Sequence, residues 1–135
     1  MTSRAFLRLN AGQLRASGLS RQKIASLTDL AERVARREIQ FSRLRDLTDG
    51  EIIGLLCRVR GVGVWTVQMF LMFALERPNV LPLSDLGIRN AVRKAYNLPA
   101  APKPADLARI AEGWHPYCSV ASWYLWRSLE GEAQI

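Results

Sequence analysis

Apolar residues along this chain recur mainly at spacings of three and four, and no stretch alternates with period two for long enough to require a strand. The pattern predicts helices throughout. Ala11 to Ser17 forms a short helix closed by Gly18. Ser20 caps a longer one, Arg21 to Arg37, in which Ile24, Leu27, Leu30, Ala31 and Val34 make the apolar stripe. Thr48-Asp49-Gly50-Glu51 has the spacing of a capping box and starts a helix over Gly50 to Val59. A second apolar helix, Val64 to Leu75, stops before Pro78. Asp85 caps a helix over Leu86 to Tyr96, and the proline-rich Leu98 to Pro104 is a linker. Pro104 fits the first turn of a short helix ending at Gly113, and a last helix covers Pro116 to Leu129. The expected fold class is all-α, a helical bundle.

Length and composition keep that picture and narrow it. A chain of 135 residues, 49% hydrophobic and 23% charged, is read as a single globular domain, 1–135. No apolar run is long enough to span a bilayer, and Met1 to Phe6 lacks the hydrophobic core of a signal peptide. A cytoplasmic location is expected, at the nucleoid if the protein is bacterial, with no membrane partner. Cys57 and Cys118 have no metal-type spacing and are read as reduced, buried thiols. Two cysteines are too few for an iron–sulfur cluster or a four-cysteine zinc site. The net charge of +7 favours a polyanionic partner such as nucleic acid.

Candidate chemistry begins at Arg58-Val59-Arg60-Gly61-Val62-Gly63-Val64-Trp65-Thr66, between two apolar helices. A dinucleotide fingerprint would need a third glycine where Thr66 stands and a strand before the turn. A phosphate-binding P-loop would need a Gly-Lys-Ser/Thr sequence, and none follows. What remains is helix, tight glycine turn, helix, with Gly61 and Gly63 free to adopt positive φ or to allow close backbone approach. The start of the second helix offers free N–H groups to a phosphate, and Arg58 and Arg60 add charge. A plain αα-hairpin connector without ligand fits the glycines equally well. Ile52, Ile53, Leu55, Leu56, Val67, Phe70 and Leu71 are hairpin core in either case.

Four motifs in order resemble the helix-hairpin-helix (HhH-GPD) base-excision DNA glycosylases, and more narrowly their 3-methyladenine DNA glycosylase II branch. They are Gly61-Val62-Gly63-Val64-Trp65-Thr66, Pro82-Leu83-Ser84-Asp85-Leu86-Gly87, Trp114-His115-Pro116-Tyr117 and Leu125-Trp126. Leu14 through Lys23 is similar to a further family pattern upstream. The resemblance covers almost the whole chain and places the hairpin at about residues 50–76. It implies a monofunctional enzyme that flips an alkylated purine of the 3-methyladenine type out of double-stranded DNA and hydrolyses its N-glycosidic bond.

By that resemblance Asp85 is the catalytic carboxylate. The chemistry agrees, since bond cleavage builds positive charge on the sugar and a helix start helps to keep a carboxylate ionised. The DNA phosphate would be held by Arg60, Gly61, Val62, Gly63, Val64 and Thr66, and the hairpin backbone could take an alkali cation. No other cofactor or metal is implied. Trp65 occupies the place of the lysine of strand-cutting relatives, so no lyase activity is expected. Trp65, Trp114, Tyr117, Trp123 and Trp126 are candidates for the base pocket, where aromatic faces would stack on an electron-poor base. His115 is read as a surface or helix-start residue. Full members carry roughly another half-domain before the segment at Phe6, so the chain is expected to be N-terminally truncated, a shortened form or fragment. Cys118 stands where relatives often have a polar residue. A noncatalytic helix-hairpin-helix DNA-binding remnant is the alternative reading, and the oligomeric state is open.

Overall fold

A computed structural model describes residues 1–131. It is helical, with no strand among the described residues. The helices are α1 (Ser3–Leu7), α2 (Ala11–Ala16), α3 (Arg21–Ala35), α4 (Asp49–Leu56), α5 (Val64–Phe73), α6 (Leu86–Ala95), α7 (Pro104–Ile110) and α8 (Cys118–Glu130). Two 3-10 turns, Phe41–Asp46 and Ala111–Trp114, complete the set. No described helix is long and apolar enough to cross a membrane.

Helix starts follow the expected caps. The Ser20 side chain accepts from Lys23 N–H at the head of α3. Thr48 and Glu51 form the reciprocal capping box of α4: Glu51 N–H donates to Thr48 Oγ1, and Thr48 N–H to Glu51 Oε2. Accepting that second bond holds the Glu51 carboxyl below its usual range. Asp85 caps α6 by accepting from Ile88 N–H at 2.8 Å.

Helix ends depart from expectation, and the reason recurs. Helices α3, α5 and α6 stop earlier than the apolar pattern suggests because the chain turns into the left-handed region at Arg37, Glu76 and Asn97. In each case the next amide folds back: Glu38 N–H to Arg33 C=O, Arg77 N–H to Leu71 C=O, and Leu98 N–H to Arg93 C=O. Arg37 and Glu76 are neither glycine nor asparagine, so at these two ends the usual stop signal is missing from the sequence. At the other end of the chain, α8 begins at Cys118 and not at Pro116. Tyr117, at φ −120 and ψ 34, is its cap, and a turn from Tyr117 N–H to Trp114 C=O precedes it. Helix α1 and the turn at Phe41–Asp46 had no periodic signal, being too short to show one.

The chain divides into two compact units, residues 1–67 and the part from Gln68 onward. In the first, α1 and α2 pack on α3. Its buried positions include Leu14, Ala31, Ile39, Leu44, Ile52, Leu56 and Val59. In the second, α6 packs on α8. Ile88, Val92 and Leu107 form the core there, with Leu83, Leu98, Ile110, Trp114, Leu125 and Trp126 packed around them. Helix α5 carries the chain across the boundary between the units.

Candidate functional site

Two of the expected features are built, one in each unit. In the first, α4, a loop over residues 57–63 and the first turn of α5 make the turn of the helix-hairpin-helix. Gly61 sits at φ 75, and a Cβ there would stand 2.5 Å from Ser26 Oγ on α3. Glycine meets both demands without backbone strain or displacement of the Ser26 hydroxyl. Gly63 does not share the left-handed conformation. Its missing side chain instead leaves open space, with no atom within 4 Å of where a Cβ would be. Val67 N–H donates to Gly63 C=O, which makes Gly63 the entry to α5.

The loop is also tied down from α3. Arg60 N–H donates to Asp29 Oδ2 at 2.7 Å, and Arg33 Nε bonds both oxygens of the same carboxylate. The Arg60 amide is the main reason that the Asp29 carboxyl lies below its ordinary range, with Arg33 and Arg36 adding to it against the cost of desolvation. Val62 N–H donates to Val59 C=O. The amides of Arg60 and Val62 are therefore spent inside the protein, and an anion would meet other atoms of these residues. Arg60, Gly61, Val62 and Thr66 line an open hollow of about 840 Å³ together with Arg21 and Lys23 from the first turn of α3. Those two cations were missed from sequence; only the fold of α3 against the loop brings them there. Val64 is exposed at the start of α5.

In the second unit Asp85 stands at the head of α6, partly buried. Besides Ile88 N–H, the indole Nε1–H of Trp126 on α8 donates to Asp85 Oδ1 at 3.1 Å. Both bonds fall on one oxygen, which fixes the plane of the carboxylate. Trp126 in turn stacks on Phe73, with ring centres 6.0 Å apart and planes inclined by 30°. The aromatic ring beside the carboxylate is thus held by a second ring as well.

No protein-family model matches the chain. Individual proteins do. It is 38% identical over 122 residues to the YfjP protein of Bacillus subtilis, covering 90% of this chain and 42% of that protein. It is 37% identical over 116 residues to DNA-3-methyladenine glycosylase 1 of Schizosaccharomyces pombe, covering 85% of this chain and 51% of the other. Among solved structures, the Schizosaccharomyces pombe 3-methyladenine DNA glycosylase in complex with abasic DNA superimposes with a TM-score of 0.86 at 34% identity, over 96% of this chain and 63% of that one. The chain has the fold of the helix-hairpin-helix DNA glycosylases. It spans between 42% and 63% of the length of these relatives.

Seen as part of that glycosylase fold, the five aromatic candidates separate. Trp126 touches Asp85 directly. Trp114 packs against the core of Ile88, Val92 and Leu107. Trp123 is half-exposed, meets Tyr124 edge-on at 5.1 Å and carries the Arg127 guanidinium 5.6 Å from its ring centre. Tyr117 is exposed at the cap of α8. Trp65 is half-exposed on α5 in the first unit. Phe73, absent from the sequence-based set, is drawn in through Trp126. Its signal was only that of an apolar helix residue.

His115 is exposed, with Nδ1 3.0 Å from Asn79 Oδ1. Cys118 is fully buried and its burial pushes the thiol pKa up, while Cys57 is only partly buried, and both are free thiols.

Proposed function

We propose that this chain is a monofunctional base-excision DNA repair glycosylase acting on alkylated purines of the 3-methyladenine type in double-stranded DNA. The observation that carries the reading is the Asp85 carboxylate, capping α6 and bonded to the Trp126 indole, within a chain so similar to 3-methyladenine DNA glycosylases. Alkylation leaves positive charge on the purine, so the base departs with the electron pair of its bond to C1′ and becomes neutral. The sugar then carries the positive charge, and a carboxylate beside it lowers the barrier. Water adds its oxygen to C1′ and gives a proton to Asp85, leaving an abasic site and the free base. Trp65 has no amine to attack the sugar, so the strand is left uncut. Arg60, Gly61, Val62, Gly63, Val64 and Thr66 are proposed to grip the DNA backbone, and Tyr117, Trp123 and Trp126 of the second unit to stand against the flipped base. Both units, 1–135, are proposed to serve as one glycosylase domain.

The test is release of 3-methyladenine or 7-methylguanine from alkylated duplex DNA. Asp85→Asn should lower the rate by about a hundredfold or more while leaving DNA binding in place. Asparagine caps helices as well as aspartate does, so the fold should survive the change. A second reading, DNA binding without catalysis, draws on the placement of the whole hairpin hollow inside residues 1–67. Duplex binding by wild type with no base release would select that reading.

A further inference from the structure

Gly87 lies in the first turn of α6, two residues after the carboxylate, where glycine is a poor helix former. Its backbone is ordinary, so conformational freedom does not explain it. Space does. A Cβ at position 87 would stand 3.1 Å from Asp85 Oδ1 and 3.4 Å from both Cδ1 and Nε1 of Trp126. These atoms, apart from Cδ1, are the donor and acceptor of the indole–carboxylate bond. Neither partner can easily yield. Asp85 Oδ1 is also held by Ile88 N–H, and Trp126 is packed on the core of the second unit and stacked on Phe73.

We propose that Gly87 is a positioning residue for Asp85: the absence of a side chain at 87 leaves Asp85 Oδ1 where the Trp126 indole and Ile88 N–H both reach it and set its orientation. The kinetic part of this inference rests on the glycosylase reading; the structural part does not. With alanine at 87, Asp85 Oδ1 must give by a few tenths of an ångström, out of the position in which it accepts from the indole, while the indole itself stays in ordinary contact with the new Cβ. Affinity for undamaged duplex draws on the proposed hairpin grip in the first unit and is left alone.

Gly87→Ala should lower the single-turnover rate of base release by about tenfold, since small displacements of a reacting group are costly. The affinity for undamaged duplex should stay within about twofold of wild type. In the Trp126→Phe background, which removes the indole N–H and frees space, adding Gly87→Ala should cost much less than tenfold. A spectroscopic readout runs beside the kinetics. The Trp126 indole N–H resonance, identified by its loss in Trp126→Phe, should respond to the protonation of Asp85 in wild type and respond far less in Gly87→Ala. An unchanged indole resonance, an unchanged rate, or the same tenfold loss in both backgrounds would overturn the proposal. If wild type releases no base at all, the functional reading fails, and the indole resonance still decides whether Gly87 sets the Asp85–Trp126 contact.

Discussion

Gly61 combines a left-handed backbone with a crowded neighbour, and these two demands can be pulled apart. Gly61→Ala should destabilise the chain by about 1–3 kcal/mol, because the new Cβ adds backbone strain and meets Ser26 Oγ. Placing the same change in a Ser26→Gly background removes the steric part and leaves the φ cost. Urea unfolding of the three variants measures both. Equal losses in the two backgrounds would show that Ser26 is not what crowds the site. Gly63, a short step along the same motif, obeys a different rule: its backbone is not left-handed, and open space lies where a Cβ would stand. Sequence alone put the two glycines in one class. Their difference depends on Ser26, which reaches the turn from 35 positions upstream only because α3 lies against it.

Between elements, the Asp29–Arg60 bond joins α3 to the hairpin loop over 31 positions of sequence. The Asp29 carboxyl is depressed below its reference value of 3.8, mainly by the Arg60 amide. A carboxylate with a lowered folded-state pKa contributes stability in full above the unfolded value, and that contribution fades as pH falls through the folded one. Wild type should therefore exceed Asp29→Asn in thermal midpoint at neutral pH, and the gap should close below about pH 4. Midpoints recorded from pH 2 to pH 7 test this. A gap of constant size throughout would mean that Asp29 holds the loop without its charge. Helix ends belong to this scale too. Starts at Ser20, Thr48 and Asp85 were legible because a cap is a bond between residues three apart. Stops at Arg37 and Glu76 were not, because these residues carry no local preference for the left-handed turn they make.

For the whole molecule, the excess of 19 basic over 12 acidic residues makes the proposed partner's affinity a function of salt. Binding to duplex DNA should weaken steeply as salt rises, since each neutralised phosphate releases a counterion. Replacing Arg60 by glutamine should weaken binding uniformly across sequences and reduce the slope of log affinity against log salt by about one. The same fluorescence titrations with Arg21→Gln and Lys23→Gln ask whether the first turn of α3 shares the contact that the hollow suggests. A slope unaffected by Arg60→Gln would remove that residue from the proposed grip.

The sequence by itself determined the helical class, the caps that start the principal helices, the helix-hairpin-helix and the likeness to the DNA glycosylases. Each of these is written in short-range spacing: three residues for a cap, three and four for an apolar stripe, two for the glycine pair. The tertiary structure alone decided that Trp126 meets Asp85 across 41 positions, that Phe73 backs Trp126, and that Trp114 goes to the core. It also decided that Gly87 is where a side chain would intrude. These contacts depend on how α6 and α8 pack, and a tryptophan looks the same in a sequence whether it turns toward a carboxylate, a core or water.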